Sequence, residues 1–221
     1  MSNGAYPFKL LHEISAIPQR RWLIKGVFAA GETSAWIGPP GSLKSALLAQ
    51  AAWCVGTGEE WHGRKNSGQA DVLYFALERS DLVNRRLSAE RDRAGLSSTD
   101  RLPIGVVTSM VDLMNPATVD RVVSTINRAG EEFGIPVGLV IFDTFAKLIA
   151  AGGGDEDKAR DQGRVFANLQ RIKNATGVHI ALIGHTGKDE SRGARGSNAI
   201  LGDVDLLVMI TGHSYGRSHQ G

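Results

Sequence analysis

Apolar residues in this chain fall into short dense runs separated by stretches in which they recur every three or four positions. The dense runs are "TSAWIG" (33–38), "DVLYFALE" (71–78), "LPIGVV" (102–107), "VGLVIFDTFAKLI" (137–149), "VHIALIGHTG" (178–187) and "LLVMI" (206–210). Several lack the polar alternation of a strand with one wet face, which predicts strands buried on both sides. The 137–149 run is read as one continuous apolar strand closing on Asp143 and Thr144. Between the runs, "SALLAQAAWCV" (45–55) is rich in helix formers. Residues 79–95 read as a helix with its arginines on the solvent side. Residues 116–133 carry Val119, Val122, Val123 and Ile126 at helical spacing, and a further helix follows the 150–163 loop and runs to about Lys173. Strands alternating with helices predict an α/β fold, with a mostly parallel central sheet and helices on both faces.

The ends of the chain are patterned differently. Residues 1–20 read as an amino-terminal arm or short helix around "FKLLHEI". Residues 21–210 form one domain, opening with a turn and a possible short strand over 20–32. There Trp22 either covers a ligand's flat ring or packs on the core, and core packing is the commoner use of tryptophan. Residues 56–70 are a glycine- and charge-rich connector. Residues 211–221 have no core pattern and are expected to be a disordered tail.

Composition narrows the class only a little. The 221 residues are 42% hydrophobic, enough for one sizeable core. Twenty-five Lys and Arg against 23 Asp and Glu leave +2, which does not by itself call for nucleic acid. The single cysteine, Cys54, excludes an internal disulfide and reads as a buried thiol in a reducing compartment. With no membrane-length apolar run and no leader pattern, the expected location is cytoplasmic, with no membrane partner.

The chemistry gathers where strands end. "GPPGSLKS" (Gly38, Pro39, Pro40, Gly41, Ser42, Leu43, Lys44, Ser45) nearly spells a phosphate-binding loop, between a predicted strand and a predicted helix. Its backbone N–H groups would cradle phosphates, Lys44 would reach the β- and γ-phosphates, and Ser45 would ligate Mg²⁺. The plainer reading is a proline–glycine turn that precedes a lysine. Leu43 stands where the pattern has glycine, which implies an ordinary helical backbone there and a side chain turned from the nucleotide. Asp143 either holds Mg²⁺ opposite Ser45 or caps a helix. Glu78 either activates a water or pairs with an arginine such as Arg79. His185 either senses a γ-phosphate or satisfies a backbone carbonyl. Arg192 and Arg195, between glycines in "SRGARGS", either stabilise a transferring phosphoryl group, in cis or across an interface, or are solvated. Lys158, Arg160, Arg164, Arg171 and Lys173 either line a DNA path or solvate a helix. No zinc set has suitable spacing, and "GHTG" is not a nucleophile elbow.

From about Trp22 to Asp205 the chain resembles the RecA-like P-loop ATPases related to the hexameric replicative helicase of broad-host-range plasmids, the RepA-like group within the AAA superfamily. The segments that carry the resemblance are "RWLIKGVFAAGETSAWIGPPGSLKSALLAQAA", "VLYFALERSDLVNRRLSA", "GLVIFDTFAKLIAAGGGDEDKARD" and "HIALIGHTGKDESRGARGSNAILGDVD". The resemblance implies that Lys44 and Ser45 are the Walker A lysine and hydroxyl and Asp143 the Walker B carboxylate. It makes Glu78 the catalytic glutamate and His185 the γ-phosphate sensor. Arg195 becomes the arginine finger reaching a neighbour's site, with Arg192 its close rival. It further implies ATP and Mg²⁺ as cofactors, a homo-oligomeric, hexameric ring, and single-stranded DNA as a partner in replication, recombination or repair. Past Asp205 relatives have further strands, so a truncated or minimal version is expected. The alternative function is a nucleotide-binding regulatory or partner-recruiting protein with little turnover.

Overall fold

The computed structural model describes Tyr6 and residues 8–13, 19–185 and 203–211. A short 3-10 turn, Leu11–Glu13, precedes an antiparallel pair, β1 (Trp22–Ile24) and β2 (Phe28–Ala29). The chain then alternates strand and helix through β3 (Thr33–Gly38), α1 (Lys44–Thr57), β4 (Asp71–Ala76), α2 (Ser80–Arg93), β5 (Ile104–Val107) and α3 (Thr118–Phe133). It continues with β6 (Val137–Asp143), α4 (Phe145–Ala150), α5 (Ala159–Thr176), β7 (His179–His185) and β8 (Leu206–Met209). Six strands form one sheet in the order β5-β4-β6-β7-β3-β8, and every pairing is parallel. This is the α/β architecture expected from the pattern of dense runs.

Burial on both faces explains that pattern. Every residue of β3 and β4 is buried, and the two-residue alternation of a strand divides them between two cores. Leu73, Phe75, Val140, Phe142, Ile180 and Leu182 pack with the apolar sides of α3, α4 and α5. Val72, Tyr74, Leu139, Ile141, Ala181 and Ile183 pack on the other face with α1, with Val83 of α2 and with Phe28 of the β-pair. His179 pins that pair to the sheet. Its Nδ1 lies 2.8 Å from the Ala29 carbonyl oxygen, which can only accept, so Nδ1 carries the proton. Nε2 is left to accept from the Ser34 hydroxyl at 2.8 Å, and Ser34 Oγ in turn accepts from Trp36 Nε1 at 3.0 Å.

One expected element is corrected. The strand in the 137–149 run stops at Asp143, and the apolar residues after it form α4. Phe145, Leu148 and Ile149 recur at i, i+3 and i+4 and are buried against the α5 side of the sheet, so the run joins two periods rather than one. Trp22 is half-buried in β1 with the Arg20 guanidinium 5.5 Å from its ring centre, and it does not line the cavity at the sheet's carboxyl rim.

Candidate functional site

The carboxyl ends of parallel strands are where α/β folds place ligands. Here that rim holds a cavity of about 310 Å³, lined by residues 40–45, Glu78, Arg79, Leu82, Val83, Arg86, Asp143, Thr144, Ile183 and His185. Its floor is the turn from β3 into α1. A Cβ at Gly38 would run into the Ile210 carbonyl oxygen and come within 2.8 Å of Ser42 Oγ, so only glycine fits the strand end there. Gly41 takes φ +81°, open to glycine at no steric cost.

Leu43 overturns one expectation. Its backbone is left-handed, at φ 65° and ψ 14°, rather than ordinarily helical, and the residue is 68% exposed. The loop therefore keeps the backbone shape that glycine would supply, at a conformational cost of about 1–2 kcal/mol. α1 begins immediately afterwards with no side-chain cap, so its first amides and the positive end of its dipole lie at the cavity floor.

Lys44 is the first residue of α1 and is 5% exposed. Its ammonium donates to the carbonyls of Gly38 at 2.7 Å and Pro39 at 2.8 Å and to Ser42 Oγ at 3.3 Å. Desolvation pulls its pKa below the usual lysine value, and the Asp143 charge pulls the other way. A buried cation held by neutral oxygens gains most from an added anion.

Asp143 closes β6, shares the strand alternation of Leu139 and Ile141, and is 7% exposed. The buried Tyr74 hydroxyl donates to its Oδ2 at 2.9 Å. Burial raises the carboxyl's pKa, while the Ser45 and Tyr74 hydroxyls favour its charged form. The helix-cap alternative fails, because the N-cap of α4 is Thr144 and no side chain caps that helix. Thr144 Oγ1 is itself buried with no hydrogen-bond partner among the described residues. A desolvated carboxylate beside two hydroxyl oxygens is the donor set of a hard cation. Among the described residues no group of three or more His, Cys, Asp or Glu could hold a metal, and Mg²⁺ bound beside phosphates takes most of its ligands from phosphate and water.

Glu78 lies two residues past β4 and is exposed on the cavity. The Leu77 amide donates to the Asp143 carbonyl at 2.8 Å, which ties the Glu78 turn to the end of β6. None of the ion pairs among the described residues includes Glu78. His185 ends β7 in register with Gly38 and is exposed at the cavity. Arg192 and Arg195 lie outside the described residues.

Three residues of the site were not legible in advance. Tyr74 carried one signal, a phenol in a dense apolar strand that needs a partner. Arg86 was placed on the solvent side of its helix, and that is corrected. Arg79, Leu82, Val83 and Arg86 recur at helical spacing, and all four line the cavity. Thr144 gave no signal beyond following Asp143.

A comparison with curated proteins found no match to this chain. A family model described as an AAA domain matches residues 6–191, most of the chain. The chain, with its parallel sheet and its loop-to-helix site at the carboxyl rim, belongs to the AAA domain family.

Proposed function

We propose that this protein binds ATP with Mg²⁺ and hydrolyses it, working as an oligomeric, helicase-like motor on single-stranded DNA. What supports the first part is one observation: four separate segments deliver Lys44 and Ser45 at the start of α1, Asp143, Glu78, and His185 to a single cavity. The motor part is carried by the resemblance to ring-forming replicative helicases alone.

In this reading the α1 amides and Lys44 hold the β- and γ-phosphates. Ser45 and Asp143 would hold Mg²⁺, which would neutralise phosphate charge. Glu78 accepts a proton from a water that attacks the γ-phosphorus. The bond from that phosphorus to the β-bridging oxygen breaks, giving ADP and phosphate. His185 donates a hydrogen bond to the γ-phosphate. An arginine from a neighbouring copy, Arg195 or Arg192, would add charge stabilisation worth ~10³-fold or more in rate.

The test is ATP turnover measured with and without single-stranded DNA over a range of protein concentrations, beside nucleotide binding by calorimetry. Lys44→Ala is expected to lose ATP binding severely and stay folded. Glu78→Gln is expected to keep ATP affinity and lose most hydrolysis, because only the transition state uses its basicity. Wild-type turnover in Glu78→Gln would remove it as the base. Turnover independent of both DNA and protein concentration would remove the motor and leave a nucleotide-binding protein.

A further inference from the structure

Arg86 is a half-buried cation that forms no ion pair among the described residues. It sits in the second turn of α2 and lines the cavity on the same helical face as Leu82 and the buried Val83. Its Nη1 is buried and has no hydrogen-bond partner among the described residues. Most arginines in folded chains escape this situation by reaching solvent or a carboxylate, because an unpaired buried donor on a charged group is costly. This one lines a site whose ligand, in the reading above, is a polyanion.

Its place along that ligand follows from its neighbours. Arg86 lines the cavity together with Glu78 and with Asp143, the carboxylate at the end of β6 that accepts from the Tyr74 hydroxyl. In phosphate-loop sites the loop amides hold the inner phosphates, whereas the lysine and the metal lie with the β- and γ-oxygens. A guanidinium that shares the cavity wall with Glu78 and Asp143 therefore falls toward the outer end of the phosphate chain. Arg79 also lines the cavity, but it is exposed and has no buried nitrogen in want of an acceptor.

We propose that Arg86, supplied by the chain's own α2, is a phosphate-binding residue that contacts the terminal phosphate and makes the site prefer a nucleoside triphosphate over a diphosphate. It rests on the ATP reading above. It differs from the arginine-finger idea because its contribution is present in a single copy. Guanidinium is suited to the task, since its planar fork meets two phosphate oxygens at once.

The experiment is calorimetric titration of ATPγS and of ADP, each with Mg²⁺, into wild type, Arg86→Gln, Arg86→Lys and Lys44→Ala. Thermal melting is run alongside. Arg86→Gln is expected to weaken ATPγS by ~10–100-fold, the worth of a charge-assisted hydrogen bond, and ADP by less than about 3-fold. Arg86→Lys is expected to fall between wild type and Arg86→Gln, since the charge stays and the fork is lost. Equal losses for the two nucleotides, or no loss, overturn the proposal and leave the ATP reading standing. If Arg86→Gln melts far below wild type, the Arg86→Lys ratio of ATPγS to ADP affinity decides, and an unchanged ratio overturns it. Wild type that binds neither nucleotide, like Lys44→Ala, removes the ATP reading and this proposal with it.

Discussion

At the scale of single residues, Leu43 shows how a loop keeps its shape with the wrong side chain. A left-handed leucine costs about 1–2 kcal/mol, yet the flanking Ser42 and Lys44 are held by hydrogen bonds that fix the turn around it. Leu43→Gly relieves that strain and adds about 0.5–1 kcal/mol of chain entropy to the unfolded state. The two effects oppose, so its stability is expected within ~1 kcal/mol of wild type by urea unfolding. ATP affinity is expected to be equal or better. A large loss of affinity would show that the leucine side chain itself, not the backbone, shapes the floor of the site.

At the scale of elements, the site is a product of strand order. β8 pairs with β3, and the Ile210 amide just beyond it donates to the Ile37 carbonyl at 2.7 Å. That brings the Ile210 carbonyl against Gly38, so the loop at 38–45 leaves the sheet through a gap without room for a methyl group. Gly38→Ala is therefore expected to cost about 1–3 kcal/mol through overpacking, read as a lower urea midpoint with an unchanged slope. It should also loosen nucleotide binding, because Lys44 Nζ is held by the Gly38 carbonyl. An alanine variant with wild-type stability would mean that β8 shifts freely against β3. The β6-to-α4 junction follows the same logic. The strand stops where Asp143 meets Tyr74, and the next apolar residues turn inward as a helix.

At the scale of the whole molecule, two buried titrating groups pull stability in opposite directions. Asp71 is fully buried, and desolvation raises its pKa from 3.8 to about 6 against the opposing pull of the Val72 amide. Its folded form holds a proton that the unfolded chain releases, so its contribution falls as pH rises from 3.8 to about 6. His179 is buried and neutral, and desolvation lowers its pKa from 6.5 to about 4. The unfolded chain binds that proton first, so its contribution is fully present above 6.5 and is lost as pH falls toward about 4. The windows overlap and their slopes nearly cancel. Asp71→Asn leaves His179 alone and is expected to make stability climb more steeply between about pH 4 and 6.5. Its melting temperature should exceed wild type by a few degrees near neutral pH, about 2–4 °C per kcal/mol recovered, with the gain vanishing near pH 4. A gain that stays constant with pH would show that the Asp71 carboxylate is solvated in the fold.

The sequence by itself determined the class of fold and set apart the polar residues at the strand ends. Doubly buried strands must be apolar throughout, helices between them must repeat every three to four residues, and polar residues at strand ends are set apart by contrast. That is why the loop at 38–45, Glu78, Asp143 and His185 stood out one segment at a time as candidates, and residues 40–45, Glu78, Asp143 and His185 line one cavity. Tertiary structure decided what no single segment carries. The order β5-β4-β6-β7-β3-β8 sets Gly38 beside His185 and β4 beside β6, within reach for Tyr74 to bond Asp143. The packing of α2 on the sheet turned Arg86 from an expected solvent residue into a lining one. The closed turn between β3 and α1 put Leu43 in a conformation that its side chain disfavours. Local sequence fixes period and polarity, because those depend on near neighbours. Which buried group meets which depends on contacts between segments far apart in the chain, and these exist only once the sheet has closed.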